Sequence, residues 1–545
     1  MRIVAEDAIE LVGSEIETDG DLFMDSTDFS AVAAEDISIS ERTSESTRVG
    51  IYAEAGGEGS AEAEANASAE ASANAGLSGA DAGAEGSAGA SASAEGEGKV
   101  GIGLQTQVAK LSERDTSITS QVSGIRAGGS ITRNASNRIL DVGTEIEAGE
   151  NFQQSANSIQ SFAARDVQTS ERTYEETTAK VGIYAEAEGA AEAEAGVAAE
   201  ANQEGASAEA GAQASAEGGA RAGIEVMVDT LVQSESTRDT QAIASTIKVG
   251  GDFTSVSEED STFEGTNVTT GGDLTVEGEN VEILAARDTS ESTFTETTTS
   301  TRAAVAVGVG GEASAGATVN SDGEAEAGAE AEGGVQVKVE LEFGFSEENE
   351  SERSTEAVTS TFQAGGSMNL TADNDINIEG ADLEADEINV DANELNFTAA
   401  ENTFESTASS SSVDVAVEVT ATVLGASGVS AEAGVGVEVE NSDAASSEAV
   451  TGSISANNLN IRTREDANFE GTQVEATESA NLDIGGDLNI TAAANTERES
   501  ADATSVEVNA EASSSGEFAA DAAVGVSNEQ SSSSEAVVAT FNVGN

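Results

Sequence analysis

Carboxylates are the one reactive group this chain holds in quantity: 103 Asp and Glu among 545 residues, beside 22 Lys and Arg, no His and no Cys. A pair of carboxylates can serve as the acid and nucleophile of a glycosidase, but acidic pairs lie all along the chain and none stands apart. Without His or Cys, the Ser-His and Cys-His dyads and most zinc sites are excluded. Asp373-Asn374-Asp375 offers hard oxygen ligands, yet no stretch has the spacing of a calcium loop. The expectation is no defined cofactor or metal site, and only weak binding of cations such as calcium by an acidic surface. Gly-Gly pairs such as Gly250-Gly251 lack the Lys of a phosphate loop and the dinucleotide fingerprint, so they read as corners. Thr293, Thr295, Thr297, Thr299 and Thr301 share one strand face. Regular Thr arrays can bind ice, but strand propensity and cross-strand pairing account for this row more simply. No catalytic, cofactor-binding or metal-ligating residue is assigned, and the chain reads as a non-enzyme.

The charge balance narrows the partners. A formal net charge of −81 argues against nucleic acid and anionic membranes, both of which need basic patches. No apolar run approaches the roughly 18 residues of a membrane-spanning helix, and Met1-Arg2-Ile3 opens no signal peptide. Aromatic residues make up 3%, and there are 57 Gly and no Trp. Such a composition cannot fill a wide core, but it can fill a narrow one made of stacked layers. The absence of Pro suits a chain that donates ladder hydrogen bonds nearly everywhere.

Residues 271–301, GGDLTVEGENVEILAARDTSESTFTETTTST, show the repeating pattern. Residues 274–276 and 281–284 alternate apolar and polar, as short half-buried strands do. Leu274, Val276, Val281 and Ile283 should point inward, with Thr275 and Glu282 outward. A landmark closes each unit: Val32-Ala33-Ala34, Phe162-Ala163-Ala164, Leu284-Ala285-Ala286, Thr398-Ala399-Ala400 and Thr491-Ala492-Ala493. The first Ala of each pair recurs at intervals of 130, 122, 114 and 93 residues. Ahead of each landmark lie two rungs, stepping by 21 residues in the second and third units. The fourth unit steps by 20, from Met368 to Ile388, and the fifth by 23, from Leu459 to Leu482. Steps near twenty predict one coil of a β-helix. Like charges stacked coil on coil should make stability rise with ionic strength or millimolar calcium.

The stretches between landmarks keep period two over dozens of residues, with central turn signals, and read as long antiparallel hairpin arms rather than linkers. In the first arm a Ser78-Gly79 turn would pair Leu77 with Ala80, Ala55 with Ile102 and Val49 with Val108. Other centres are Gln203-Glu204-Gly205, Asn320-Ser321-Asp322-Gly323, Gly425-Ala426-Ser427-Gly428 and Ser513-Ser514-Ser515-Gly516. The units run 1–125, 126–246, 247–361, 362–451 and 452–545, with arms near 41–116, 168–242, 289–360, 403–450 and 496–538. The expected fold is all-β: a parallel β-helix solenoid with one Ala/Gly/Glu-rich hairpin arm inserted per repeat. Two rungs and two arm strands advance by the same width, so the arms should join into a lateral antiparallel sheet. Its Ala/Val face, with Ala63, Ala67 and Ala71 in the first arm, is expected to self-associate, as in a matrix or surface fibre.

The string GGDLTVEGENVEILAARDTSESTFTETT resembles the haemagglutinin repeats of filamentous haemagglutinin and contact-dependent inhibition exoproteins, with Val305-Ala306-Val307-Gly308-Val309-Gly310 matching the opening of their spacers. The resemblance implies a right-handed β-helix forming the shaft of an adhesin or toxin-delivery stalk, exported by two-partner secretion through an outer-membrane transporter. It also implies the extracellular surface of a Gram-negative bacterium as location, and a host or neighbouring cell surface, or copies of the chain itself, as partners. The arms here are longer and far more acidic than the family's spacers. The end, Thr540 to Asn545, looks like the opening of a sixth unit, so the chain is expected to be a slice of a longer protein. A β-helix enzyme acting on polysaccharide is the distant alternative, and it would need an acidic groove with nearby basic residues, which are few and scattered.

Overall fold

The computed structural model describes residues 1–544 except 77–78, 203–204, 310–312, 320–324, 332–334 and 423–427; for 51, 53–102, 104, 183, 185–222, 307 and 309–335 it describes the backbone alone. All regular structure among these residues is strand, divided between a parallel and an antiparallel sheet.

In the parallel sheet the chain visits three ladders in a fixed order. Phe253–Ser257 lies in the first, Asp260–Glu264 in the second and Thr266–Thr270 in the third. Leu274–Gly278 then returns beside the first and Asn280–Leu284 beside the second, both parallel. Repetition of this cycle puts ten strands in each ladder among the described residues.

The registers stack apolar side chains in columns. In the second ladder Ile9, Phe29, Ile139 and Ile159 succeed one another, and Val281, Ile376, Leu395, Ala467 and Leu488 continue beyond Ser261. Leu274, Val276, Val281 and Ile283 are fully buried, while Thr275 and Glu282 are half-buried on the other face. The alternation reads as expected. Phenylalanines touch across layers: Phe152 and Phe253 lie 5.2 Å apart, Phe263 and Phe362 5.4 Å, and Phe469 and Phe541 6.0 Å.

The corner between the third and first ladders explains the paired glycines. A Cβ on Gly149, Gly250, Gly271 or Gly365 would lie closer than 3.0 Å to the carbonyl oxygen of the glycine stacked beneath it. Carboxylates complete this corner. The Asp273 amide donates to Asp252 Oδ1 (2.9 Å), and the Ser367 amide donates in turn to Asp273 Oδ1 (2.7 Å). The Ser367 amide and then its hydroxyl hold the Asp273 carboxyl below its ordinary value.

An arm leaves after every second visit to the second ladder. Its strands are Ala34–Gly76 with Gly79–Gln121, then Ala164–Asn202 with Gly205–Ile243. Next come Ala286–Val309 with Val335–Val358, continued by Ala313–Val319 with Ala325–Ala331. Ala400–Thr422 with Gly428–Val450 and Ala493–Ser513 with Phe518–Val537 complete the set. Each arm's return strand pairs with the next arm's outgoing strand, so the arms form one 12-stranded antiparallel sheet.

Two expected registers are corrected. Gly76 pairs with Gly79, Ala55 with Val100 and Val49 with Thr106, two residues away from the expected partners. An even slip leaves every side chain on its face, so alternation could not reveal it. In the fifth unit Leu482 lies beside Ile461 and Ala480 beside Leu459, a step of 21 rather than 23. Of the expected turns, the one at residues 513–516 is described: the Gly516 amide (φ 90°) donates to the Ser513 carbonyl (3.0 Å). The centres at 77–78, 203–204, 320–323 and 425–427, and the Ala63, Ala67 and Ala71 side chains, lie outside what is described.

The double-Ala landmark is the branch point. Gly13, Gly143, Gly265, Gly380 and Gly471 all have φ between 51° and 59°. A Cβ on each would overlap the Cβ of Ala34, Ala164, Ala286, Ala400 or Ala493, the second Ala of each landmark. The turn thus needs Gly for its backbone and for room, and the arm needs Ala because nothing larger fits against it.

Three substitutions test this reading. Val276→Asp should cost several kcal/mol, against a few tenths for Thr275→Asp, because only the first buries an unpaired carboxylate; denaturant unfolding measures both. Gly265→Ala should cost about 2 kcal/mol or more, from left-handed backbone strain plus overlap with Ala286.

Candidate functional site

The most concentrated polar chemistry lies inside the parallel sheet. Arg133 and Asp141, 0% and 2% exposed, form a two-pronged ion pair: Arg133 Nη1 donates to Asp141 Oδ1 (2.9 Å) and Nη2 to Oδ2 (2.6 Å). Arg133 Nη2 also donates to Gln154 Oε1 (2.5 Å), and Gln154 Nε2 donates to Ser255 Oγ (2.9 Å). The guanidinium carbon lies 4.6 Å from the Phe29 ring centroid and 5.4 Å from that of Phe152. Arg133, Gln154 and Ser255 occupy successive layers of one inward column. Each carboxylate oxygen is engaged, two aromatic rings pack near the cation and the pair is closed to solvent, with Arg133 Nε the one guanidinium nitrogen left without a hydrogen-bond partner. The cluster is a polar plug three layers deep.

A second polar set closes the branch points. Ser123, Ser245 and Ser360 stand just after the first three arms return, and their hydroxyls donate to the carbonyls of Val32, Phe162 and Leu284 (2.7, 2.8 and 2.7 Å). The same oxygens accept the amides of Ser14, Thr144 and Thr266 (3.3, 3.1 and 3.0 Å). The fourth branch point has Gly452 instead, where a Cβ would strike the Phe397 ring.

A third set latches arm to arm. The Ser120 amide donates to Asp166 Oδ1 (2.6 Å), Ala242 to Asp288 (2.6 Å), Ala357 to Asn402 (2.7 Å) and Ala449 to Asn495 (2.8 Å). The acceptor always sits two residues after the landmark's second Ala. There it bridges the splayed base of two arms before their ladder begins.

Cations on the sheets are shared. Arg302 joins Glu225 of the second arm to Glu342, and Lys338 joins Glu340 to Glu418 of the fourth. The Arg302 guanidinium is pushed up chiefly by its hydrogen bond to Glu225. Arg126 serves Glu15, Glu145 and Glu147. Tyr52 and Tyr184 lie over Gly103 and Gly223, their cross-strand partners, where a Cβ would overlap the rings.

The residues weighed for chemistry take structural positions. Asp373, Asn374 and Asp375 form a corner on the layer below: the Asp373 amide bonds the Gly278 carbonyl (3.1 Å) and Asn374 Nδ2 bonds Glu279 Oε1 (3.1 Å). The Thr293–Thr301 row is one file, flanked on one side by Ser236, Ser234, Val232, Thr230 and Val228 and on the other by Ser351, Asn349, Glu347, Phe345 and Phe343. Gly250 is a stacked corner. Among the described residues no three His, Cys, Asp or Glu side chains gather as metal ligands, and no helix is long and apolar enough to cross a membrane. Sequence reasoning missed the plug and the latch. The Asp or Asn fixed two residues after each landmark was the available signal for the latch.

The plug should be indispensable in halves and dispensable whole. Arg133→Met, which leaves Asp141 buried and unpaired, should cost about 3–5 kcal/mol, whereas Arg133→Met with Asp141→Leu should recover most of that. Equal losses in the single and double variants would refute the assignment.

No curated protein and no solved structure matches the chain. The haemagglutinin repeat model matches three times, over residues 102–231, 228–335 and 341–510. These matches take in the landmarks at Ala164, Ala286, Ala400 and Ala493, Arg133 and Asp141 of the plug, and most of the second, third and fourth arms, and they cover well over half of the sequence. The chain belongs to the haemagglutinin-repeat family.

Proposed function

We propose that this chain is a non-catalytic shaft segment of a filamentous exoprotein, carried to the surface of a Gram-negative bacterium through an outer-membrane transporter. The observation that carries this reading is the fixed order in which the chain visits three parallel ladders, layer after layer. A backbone advancing one layer per cycle winds as a β-helix, and connections between parallel strands turn right-handed in about 98% of cases. The five units are 1–125, 126–246, 247–361, 362–451 and 452–545, each adding two layers and one arm. Family membership supports an adhesive or stalk role, with a host or neighbouring cell as the surface met. The chemistry of the chain favours reach over reaction: the side chains of its plug and branch points bond one another or the backbone, and its corners are filled by glycine and carboxylates.

A second reading, a matrix fibre assembled through sheet faces, is favoured by one observation. Leu341, Phe343, Val435, Val508 and Val524 are exposed at 43%, 44%, 40%, 42% and 69%, and they belong to neighbouring strands of the antiparallel sheet.

Negative-stain images of the isolated chain discriminate. Ten layers at about 4.8 Å give a shaft of about 48 Å. A lateral fin should narrow from the first arm, whose strands have 43 residues, to the fifth, with 21 and 20. A sphere or an extended coil would defeat the shaft reading, and fins stacked face to face would favour the fibre.

A further inference from the structure

The third to fifth arms give the antiparallel sheet two unlike faces. Every second residue of 339–345, 413–419, 431–437 and 506–512 falls on one face, in four rows of four. One such row reads Phe343, Val415, Val435 and Val508, and every position in the block is Val, Leu, Phe or Ala. Leu341, Phe343, Val419, Val435 and Val508 are exposed. The positions between them face the other way and carry the carboxylates, with Glu340, Glu418, Glu432 and Glu511 in a single row. The four strands, Val335–Val358, Ala400–Thr422, Gly428–Val450 and Ala493–Ser513, are each paired along both edges. The exposure therefore belongs to the face and owes nothing to a free edge. Farther along, the same rows are buried at Ile224, Val226 and Val305, so the open block starts at residues 335–358.

An apolar sheet face is stable when a second layer packs on it, and a second copy of the chain supplies one that matches. Its block has the same strand spacing and the same rows, so two sheets can pack with their strands about 30° apart and their side chains interdigitated. Four strands about 4.8 Å apart and four rows about 6.8 Å apart cover about 500 Å². Two copies together then bury about 1,000 Å², the lower bound of a specific interface. Charge points the same way. Each copy carries −81, and in the four rows of this block no carboxylate would be set against another.

We propose that two copies of this chain pair face to face through this block, about a two-fold axis. The contact is isologous, the same patch on both sides, and it closes at two because the opposite face is acidic. It rests on the fibre reading and narrows it, to a fibre two shafts wide. Whole bodies of charge −81 still repel one another, and the screening length falls from about 10 Å at 0.1 M salt to about 3 Å at 1 M. Salt therefore governs the contact: pairs form at high ionic strength and part at low.

Sedimentation velocity of the 545-residue chain at 0.1 M and 1 M NaCl tests this. The expected result is monomer at the lower salt, and dimer with nothing larger at the higher. Phe343→Glu with Val435→Glu puts charge into the block on side chains already exposed. That variant should stay monomeric at 1 M NaCl with its melting transition in place. Should it unfold, Leu341→Ala with Phe343→Ala serves: it trims the block on both copies and should raise the dimer Kd at least tenfold. Glu418→Gln with Glu432→Gln, on the other face, should keep the dimer, and its loss there would put the contact on the wrong face and overturn the proposal. Monomers of the unaltered chain at 1 M NaCl would overturn the pair and the fibre together, while leaving the shaft reading to its own images. Assemblies larger than two would keep the fibre and overturn the pair, as would dimers indifferent to both block variants.

Discussion

One length governs this molecule: the spacing of about 4.8 Å between hydrogen-bonded strands. Each unit adds two layers to the parallel ladders, and each arm adds two strands to the antiparallel sheet. Because both advance by the same distance, arms leaving at every second layer arrive beside one another without bending. A unit of one layer or three would put its arm out of reach of the neighbour's edge and leave long lone hairpins, which are marginal in water. The latches at Asp166, Asp288, Asn402 and Asn495 sit where the two sheets must be brought into step.

The branch points show how a chain can leave a packed stack without opening it. The amides of Ala33, Ala163, Ala285 and Ala399 bond carbonyls of the following layers (2.9, 3.0, 3.1 and 2.9 Å), so the first landmark residue still belongs to the ladder. The second landmark residue presses on the left-handed glycine and already belongs to the arm. That glycine's amide bonds the carbonyl just before the double Ala, and in the first three units a serine hydroxyl on the returning strand adds a second bond to the same carbonyl. The fourth branch dispenses with this serine, and there the Phe397 ring occupies the space.

Much of this was legible because period two is a strong signal and the units repeat it. The inward set Leu274, Val276, Val281 and Ile283, the five landmarks and the joining of arms could all be read from alternation and spacing. What alternation cannot carry is a shift by an even number. In the first arm, Ala, Gly, Glu and Ser recur so uniformly that pairings two residues apart are chemically alike, and the observed partner of Ala55 is Val100 rather than Ile102. The plug was hidden for another reason. Arg133 and Asp141 are eight residues apart on strands of different ladders, and nothing local marks them as buried. In sequence they look like any two of the chain's surface charges.

The outward rows revise the expectation that like charges pile up along the stack. In the first ladder the middle outward position runs Thr132, Gln153, Thr254, Thr275, Asn369, Asn389 and Asn460. In the second ladder Asn377, Asn396, Asn468 and Asn489 follow Glu282, and their amides bond layer to layer at 2.8 to 3.0 Å. In the third ladder Glu17, Arg126, Glu147 and Lys248 alternate in sign. Repulsion between stacked carboxylates is thus largely avoided in the parallel ladders, whereas across the arms Glu340, Glu418, Glu432 and Glu511 stand in one row. Carboxylates at the corners are instead each held by a neighbouring amide, as at Asp252 and Asp273. The surplus of negative charge acts between arms and between molecules more than within the stack. Ionic strength should therefore bear more on the arms and on what the molecule meets than on the parallel stack.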